Sequence, residues 1–125
     1  MKKVIHIPNA PAPIGPYSQA ILKNDTLYIS GQIPVNPMTR ELNMPDIQTA
    51  TSQVLDNIGL ILKEAGMDYS NVVKCTVYMI DFNDFAGMNE AYAKYFPDAP
   101  PAREAIQISK LPMNVCVEIS CIAVK

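Results

Sequence analysis

Two charged residues near the C-terminal end could do chemistry together. Arg103 heads the strand-like run REAIQIS, and Glu118 interrupts the apolar run VCVEISCIAV. The planar guanidinium of an arginine binds a carboxylate through two parallel hydrogen bonds. A glutamate held away from direct pairing can position and activate a water molecule. Arg103 could thus hold a small 2-oxo or 2-imino acid, and the two residues together suit hydrolytic chemistry on a small acid, which needs neither a metal nor a cofactor.

The same two residues have a purely structural alternative. Burying an unpaired carboxylate is costly, so Glu118 is expected either to be paired or to have a raised pKa. If the two C-terminal runs pair as an antiparallel hairpin across KLPMN (110–114), Arg103 faces Glu118 in a buried cross-strand salt bridge. Ala105 then faces Cys116 on the same side. The pattern alone leaves the ligand clamp and the salt bridge both open.

Two hydroxyl groups are expected to meet near one end of the sheet. The runs YSQAILK (17–23) and TLYISG (26–31) are separated by an Asn-Asp pair, which predicts a β-hairpin. Side chains along a strand alternate with a period of two. In the register of that hairpin, Tyr17 and Ser30 are diagonal neighbours on one face. They would supply further hydrogen bonds to a ligand.

An amide lies on the apolar side of a predicted helix. DFNDFAGMNEAYAKYF (81–96) is helical in pattern, and Pro97 ends it. Its apolar stripe consists of Phe85, Met88, Tyr92 and Phe96. Asn89 falls on the same side, where an amide without partners costs roughly 1–3 kcal/mol. Asn89 is therefore either a satisfied structural amide or the support of a polar site.

Composition argues against several classes of function. A net charge of −2 and a pI near 5.2 give no basic surface for nucleic acid or anionic membranes. The single histidine, His6, has no neighbours at metal-ligand spacing, so neither a zinc site nor a serine–histidine–aspartate triad is predicted. The odd number of cysteines argues against a disulfide framework. We expect them to be small buried residues at positions Cys75, Cys116 and Cys121.

The first residues of the sequence are not expected to form an export signal. MKKVIHIPNAPAP has only a short apolar run before its first proline, so it does not match a signal peptide. The apolar runs elsewhere are far shorter than the ~20 residues of a membrane span. A cytoplasmic protein is expected.

The remaining pattern predicts one α+β domain over residues 1–125. Apolar residues recur at helical spacing from Asp46, a suitable N-cap, to Gly66, a suitable end. With a strand at NVVKCTVYMI (71–80), the element order is βββαβαββ. A mixed sheet with both helices packed on one face is the natural architecture. The last strand is apolar on both faces, so we expect helices on one side and a neighbouring subunit on the other.

Five motifs, in order along nearly the whole chain, are similar to those of one known family. They are IGPYSQA (14–20), ISGQIP (29–34), NDFAGMN (83–89), PAR (101–103) and LPMNVCVEI (111–119). The sequence thus resembles the Rid family of reactive-intermediate deaminases, also called YjgF-like proteins. The resemblance implies a chorismate-mutase-like fold and a homotrimer with its sites in the clefts between subunits. It also implies hydrolysis of enamines and imines, such as 2-aminoacrylate, to 2-oxo acids and ammonia.

The resemblance also implies roles for individual residues. The arginine matched by Arg103 binds the substrate carboxylate, and the glutamate matched by Glu118 holds the attacking water. Tyr17, Ser30 and Asn89 match the remaining pocket positions. Gly31 lies beside them, and Ala105 occupies a further substrate-binding position.

One departure from the family pattern concerns the residues after the arginine. Typical members continue with a small residue and then a cysteine, whereas this chain has Glu104 and Ala105. By strand alternation Glu104 points away from the Arg103 side. The departure favours an alternative function, a regulatory protein that binds a small carboxylate without turnover. Single-strand ribonuclease activity is a third function, which the acidic pI and the lack of a basic stripe oppose.

Overall fold

The computed structural model describes residues 1–8, 10 and 13–125, and these residues form one six-stranded sheet with two helices. In chain order the elements are β1 (Lys3–Ile5), β2 (Ala20–Lys23), β3 (Thr26–Gln32), α1 (Ile47–Glu64), β4 (Val72–Met79), α2 (Phe85–Ala93), β5 (Ala102–Gln107) and β6 (Val117–Val124). The predicted order βββαβαββ is confirmed. The predicted α+β architecture is confirmed with it.

The first helix begins and ends where its sequence predicts. The Asp46 side chain accepts a hydrogen bond of 2.7 Å from the backbone N–H of Thr49. Gly66 follows the C-cap with φ +75°, a conformation that favours glycine. The apolar side of α1 is fully buried against the sheet at Val54, Ile58 and Ile61. Within the described residues no helix is both long and apolar enough to cross a bilayer.

The second helix is shorter than its pattern suggests but packs on the same face. The segment Phe82–Asp84 is a single 3₁₀ turn, and α2 proper ends four residues before Pro97. Met88, Tyr92 and Phe96 are buried in the same core as α1, as the apolar stripe predicts. Both helices therefore cover one side of the sheet. We call the uncovered side the open face.

The strand order corrects one expectation. The sheet runs β1-β2-β3-β6-β4-β5, so β6 lies between β3 and β4 and is antiparallel to both, while β5 is an edge strand parallel to β4. The predicted hairpin between the last two strands is wrong. Arg103 is the register partner of Cys75, and Glu118 that of Tyr78. Ala105 is opposite Val77 and not opposite Cys116.

The two strands take different places in the sheet because β6 is more apolar than β5. The helix-facing residues Val117, Ile119 and Cys121 of β6 are buried, and its other side is only partly exposed, which suits a central strand. In contrast, β5 leaves four of its six residues exposed, which suits an edge. The α2 crossover between β4 and β5 also makes that pair parallel, because an intervening helix returns the chain to the same end of the sheet.

The predicted β2–β3 hairpin is confirmed in its register. Lys23 pairs with Thr26, and Ile21 pairs with Tyr28. Asn24 takes the turn with φ +53°, a conformation that asparagine tolerates well.

The three cysteines are free thiols. Cys75 and Cys121 are buried and face each other across β4 and β6, as expected of small core residues, whereas Cys116 is half-buried. A hydrogen bond with Cys75, together with burial, raises the pKa of Cys121 far above its ordinary value. The Cys121 thiol is therefore protonated at neutral pH and unreactive.

Candidate functional site

The predicted site residues divide between the two faces of the sheet. Glu118 alternates along β6 with the core residues Val117 and Ile119, so its side chain lies on the open face. Arg103 contacts α2, so its side chain lies on the helix-covered face. A salt bridge between Arg103 and Glu118 within one chain is therefore excluded, and that alternative was wrong.

Glu118 is half-buried against the backbone of β3. Its carboxylate lies so close to Gly31 that a Cβ at that position would overlap it. A larger residue at this position would displace the carboxylate, and the β3–β6 register shifts at the same point, between Ile29 and Gln32. Burial raises the pKa of the Glu118 carboxyl above its ordinary value. No cation among the described residues forms an ion pair with Glu118, so burial of its charge is not offset by a nearby cation.

Ser30, which precedes Gly31 in β3, and Tyr17 lie on the open face. They line one depression, as the hairpin register predicts. The Ser30 hydroxyl donates a hydrogen bond of 2.7 Å to the carbonyl of Ser18. Because its proton is used there, the hydroxyl oxygen can offer a lone pair to a donor on a ligand. Tyr17 is more than half exposed, at 56%. We call Tyr17, Ser30, Gly31 and Glu118 the open-face group.

Arg103 rests on three uncharged side chains of α2. Its guanidinium carbon lies 4.8 Å from the ring centroid of Tyr92 and 5.7 Å from that of Phe85. Its Nη1 approaches Sδ of Met88 at 3.9 Å. Such cation–π contacts are worth about 0.5–2 kcal/mol and leave the edge of the guanidinium free for hydrogen bonds. Across the described part of the chain, no carboxylate forms an ion pair with Arg103.

Asn89 and Ala105 lie near Arg103. Asn89 is one helical turn after Phe85 and is half-buried. None of the described residues forms a hydrogen bond with its side chain. The structure therefore does not support the interpretation of Asn89 as a structural amide whose hydrogen bonds are satisfied within the chain. Ala105 is half-buried on the same side of β5 as Arg103. We call Arg103, Asn89 and Ala105 the edge group.

Glu104 lies on the other side of β5, as strand alternation predicts. Its carboxylate contacts Lys74 Nζ at 3.1 Å and accepts a hydrogen bond of 3.1 Å from Thr76 Oγ1. These two contacts lower the pKa of Glu104. The departure from the family pattern at this position therefore leaves Arg103 unpaired.

Sequence reasoning assigned Phe85, Met88 and Tyr92 to the core and missed their contact with Arg103. The apolar stripe identifies these three residues in the sequence. However, it is the pairing of β5 with β4 that brings Arg103 over them. The sequence contains one indication of this contact: Arg103 comes two residues after a proline pair that follows an aromatic helix.

Comparisons with known proteins find similar sequences along nearly the whole chain. A family model described as Endoribonuclease L-PSP matches residues 7–125. The chain is 54% identical to a RutC family protein of Pyrococcus horikoshii, over 100% of this chain and 99% of that protein. It is 47% identical to the Reactive Intermediate Deaminase A of Arabidopsis thaliana chloroplasts, over 98% of this chain and 65% of that one. It is also 47% identical to the 2-iminobutanoate/2-iminopropanoate deaminase of Bos taurus, over 100% and 91%.

Solved structures with similar sequences have the same fold as this chain. A putative endoribonuclease from Thermotoga maritima superposes with a TM-score of 0.95 at 42% identity, covering 100% of this chain and 98% of that one. E. coli TdcF with bound serine superposes with a TM-score of 0.92 at 38% identity, covering 98% of each chain.

Proposed function

Because the chain belongs to the endoribonuclease L-PSP family, which includes the Rid deaminases, we propose that it hydrolyses small enamine and imine acids to 2-oxo acids and ammonia. The substrates are of the 2-aminoacrylate type. One observation supports this most directly: the fold holds an arginine and a carboxylate on opposite faces, and neither has a charged partner among the described residues. A substrate with a carboxylate and an imine carbon would use both.

The separation of the two groups favours a site built from two copies of the chain. Arg103 and Glu118 cannot meet within one sheet, but the open face of one copy can receive the β5–α2 edge of the next. The open face also presents apolar side chains such as Tyr28 and Ile106 to solvent. A heterologous contact of this kind, repeated around an axis, closes a ring. We propose a homotrimer with its sites between subunits, located in the cytoplasm.

The reaction needs few chemical groups. Arg103 of one copy binds the substrate carboxylate through its free edge. Glu118 of the adjacent copy accepts a proton from a water molecule as that water attacks the imine carbon. Glu118 returns this proton to the nitrogen of the resulting carbinolamine, and as ammonia leaves, the carboxylate accepts the hydroxyl proton, so that the 2-oxo acid remains. The Ser30 oxygen accepts a hydrogen bond from the substrate nitrogen, and Tyr17 covers the site. Because such imines already hydrolyse in water, orientation and water positioning account for the rate gain.

Turnover of 2-aminoacrylate tests the proposal. The compound is generated in situ by a pyridoxal-phosphate-dependent dehydratase, and pyruvate formation is followed with and without the purified protein. We expect the wild-type protein to accelerate pyruvate formation and the isosteric variant Glu118→Gln to lose this effect. No acceleration over buffer would refute the deaminase function. Binding of a 2-oxo acid in the same preparation would then identify a regulatory carboxylate-binding protein.

A further inference from the structure

Cys75 and Cys121 are a pair of buried thiols that the proposed reaction does not use. They are register partners on the antiparallel strands β4 and β6, and both belong to the core beneath the helices. The Cα atoms of directly opposed residues in antiparallel strands are about 4.5–5.5 Å apart. A disulfide spans Cα separations of about 4.4–6.8 Å, so this pair can be bridged with little movement of the backbone.

The surroundings of Cys75 favour its thiolate, which is the reactive form of a cysteine. Arg103 is the register partner of Cys75 on the other neighbouring strand, β5. A hydrogen bond with Cys121, the contact with the Tyr92 hydroxyl and the positive charge of the arginine together lower the pKa of Cys75, against the opposing effect of burial. A cysteine activated in this way beside a second cysteine is the arrangement found in thiol redox sensors.

Only a small reagent can reach the pair. Cys75 is fully buried, and Cys121 is 4% exposed. The neighbouring strand β5 is an edge strand with four of its six residues exposed, and local opening of such an edge gives a small uncharged peroxide a route to Cys75. The third thiol, Cys116, is half-buried, lies before β6 and is not opposed to either of these cysteines.

The pair is connected to Arg103 through Tyr92. The ring of Tyr92 supports the guanidinium at 4.8 Å. Its hydroxyl is buried beside the Cys75 thiol and has no well-oriented hydrogen-bond partner among the described residues. A bond to Cys121 would draw the Cys75 sulfur towards β6 and away from this hydroxyl. Because a buried hydroxyl without a polar contact is costly, we expect the ring to move and the guanidinium to move with it.

We propose that Cys75 and Cys121 form a reversible disulfide in the presence of a peroxide, and that this bond weakens the binding of an anionic ligand by Arg103. The disulfide itself is independent of the proposed deamination. Its effect on ligand binding rests on the carboxylate-binding role proposed for Arg103.

The bond forms in two steps. The Cys75 thiolate attacks one oxygen of the peroxide, the O–O bond breaks, and the leaving hydroxide takes up a proton to form water, so that Cys75 becomes a sulfenic acid. The Cys121 sulfur then attacks the sulfenic sulfur, the S–O bond breaks, and the hydroxide leaves with the Cys121 proton as a second water. Two thiols are oxidised by two electrons, and one hydrogen peroxide is reduced to two waters. Cys121 is unreactive towards external reagents, but its position opposite Cys75 makes this second step intramolecular.

Mass spectrometry after peroxide treatment tests the bond. The purified protein is treated with hydrogen peroxide, denatured and alkylated, and a sample reduced with dithiothreitol is the reference. We expect the wild-type chain to lose two alkylatable thiols and the mass of two hydrogen atoms, with a link between the peptides of Cys75 and Cys121. Cys116→Ser should form the same bond, whereas Cys121→Ser should not. Three alkylatable thiols after treatment, oxidation without this link, or a link that includes Cys116 would overturn the proposal.

Calorimetry with pyruvate tests the effect on Arg103, after the peroxide has been removed by gel filtration. The oxidised wild-type protein should bind pyruvate about threefold to tenfold more weakly than the reduced protein, the effect of losing the support of the ring, and dithiothreitol should restore the affinity. Cys121→Ser is the matched control, since it keeps Cys75 and Met88 but cannot form the bond, and its affinity should not change on treatment.

An equal or higher affinity of the oxidised wild-type protein would overturn the coupling to Arg103. If neither form binds pyruvate, Arg103 is not a carboxylate clamp, and both the coupling and the proposed function are rejected. The mass measurement needs neither binding nor turnover, so it decides the disulfide separately.

Discussion

The strands β5 and β6 each contribute one charged residue to the candidate site, yet they hold these residues in opposite ways. Arg103 lies at an edge of the sheet, supported by the rings of Phe85 and Tyr92. Glu118 lies in the central strand, half-buried beside a glycine, and its pKa is raised. The charge of the arginine is stabilised by its support, while the charge of the glutamate is destabilised by burial. This difference suits a permanent anion clamp on one strand and a proton acceptor on the other.

The largest expected effect comes from removing either charge. Arg103→Ala and Glu118→Gln should each lower kcat/KM for 2-aminoacrylate by roughly 10²–10⁴-fold, because one loses carboxylate binding and the other loses the general base. Both proteins should remain folded, since neither residue forms an ion pair with any other described residue. Circular dichroism and gel filtration check the fold. A variant that unfolds would show that its charge has a structural role.

Mixing these two inactive variants tests whether the charges come from different chains. If each site takes Arg103 from one copy and Glu118 from the next, chains unfolded together and refolded at equal amounts should form intact sites at about a quarter of their interfaces. Activity should therefore return to about a quarter of the wild-type value. A mixture as inactive as its components would show that both charges of a site belong to one chain.

Changing the support of Arg103 should have a smaller effect. Tyr92→Leu removes the ring that lies 4.8 Å from the guanidinium, so KM should rise about threefold to tenfold, the equivalent of a cation–π contact. Tyr92→Phe keeps the ring and should keep the wild-type KM. An equal change in both variants would show that packing, and not the ring–cation contact, is responsible. Changes confined to kcat would also count against a role in carboxylate binding.

The pH dependence should follow the raised pKa of Glu118. In the proposed mechanism the carboxylate is the active form, so the acid limb of kcat/KM should lie above the pH expected of an ordinary glutamate. Stability should change in the matching direction. Because the folded state binds this proton more tightly than the unfolded chain, Glu118 destabilises the protein above its folded pKa. Glu118→Gln should therefore raise Tm at neutral pH, and the gain should vanish below the unfolded pKa. A lower Tm at neutral pH would contradict the assignment.

The smallest effect is expected at Glu104, whose pKa shift has the opposite sign. Lys74 and Thr76 lower its pKa, so its contribution to stability is present above the unfolded pKa and lost as the pH falls through the folded pKa. Glu104→Ala should lower Tm slightly at neutral pH and not at all in high salt, because the pair is exposed. Its kcat/KM should stay close to that of the wild-type protein. A large loss of activity would place Glu104 in the site.

The local elements were predictable from the sequence because short-range chemistry determines them. The Asp46 cap, the left-handed Gly66 and the β2–β3 register depend on neighbouring residues, and all three agree with the structure. Strand alternation also placed Glu104 on the side away from Arg103. The predicted pairing of β5 with β6 was wrong. The two strands are adjacent in sequence, which favoured a hairpin, but the centre of the sheet is occupied by the more apolar strand, β6.

The sequence by itself determined which residue types are available and which elements present them. It identified the arginine, the lone carboxylate, the two hydroxyls and the amide, since each departs from the apolar pattern around it. Only the tertiary structure decided that Arg103 and Glu118 lie on opposite faces, that Arg103 rests on aromatic rings, and that Gly31 gives the carboxylate its space. These are long-range contacts, set by the packing of helices on one side of the sheet and by strand order, and the spacing of residues along the chain does not encode them.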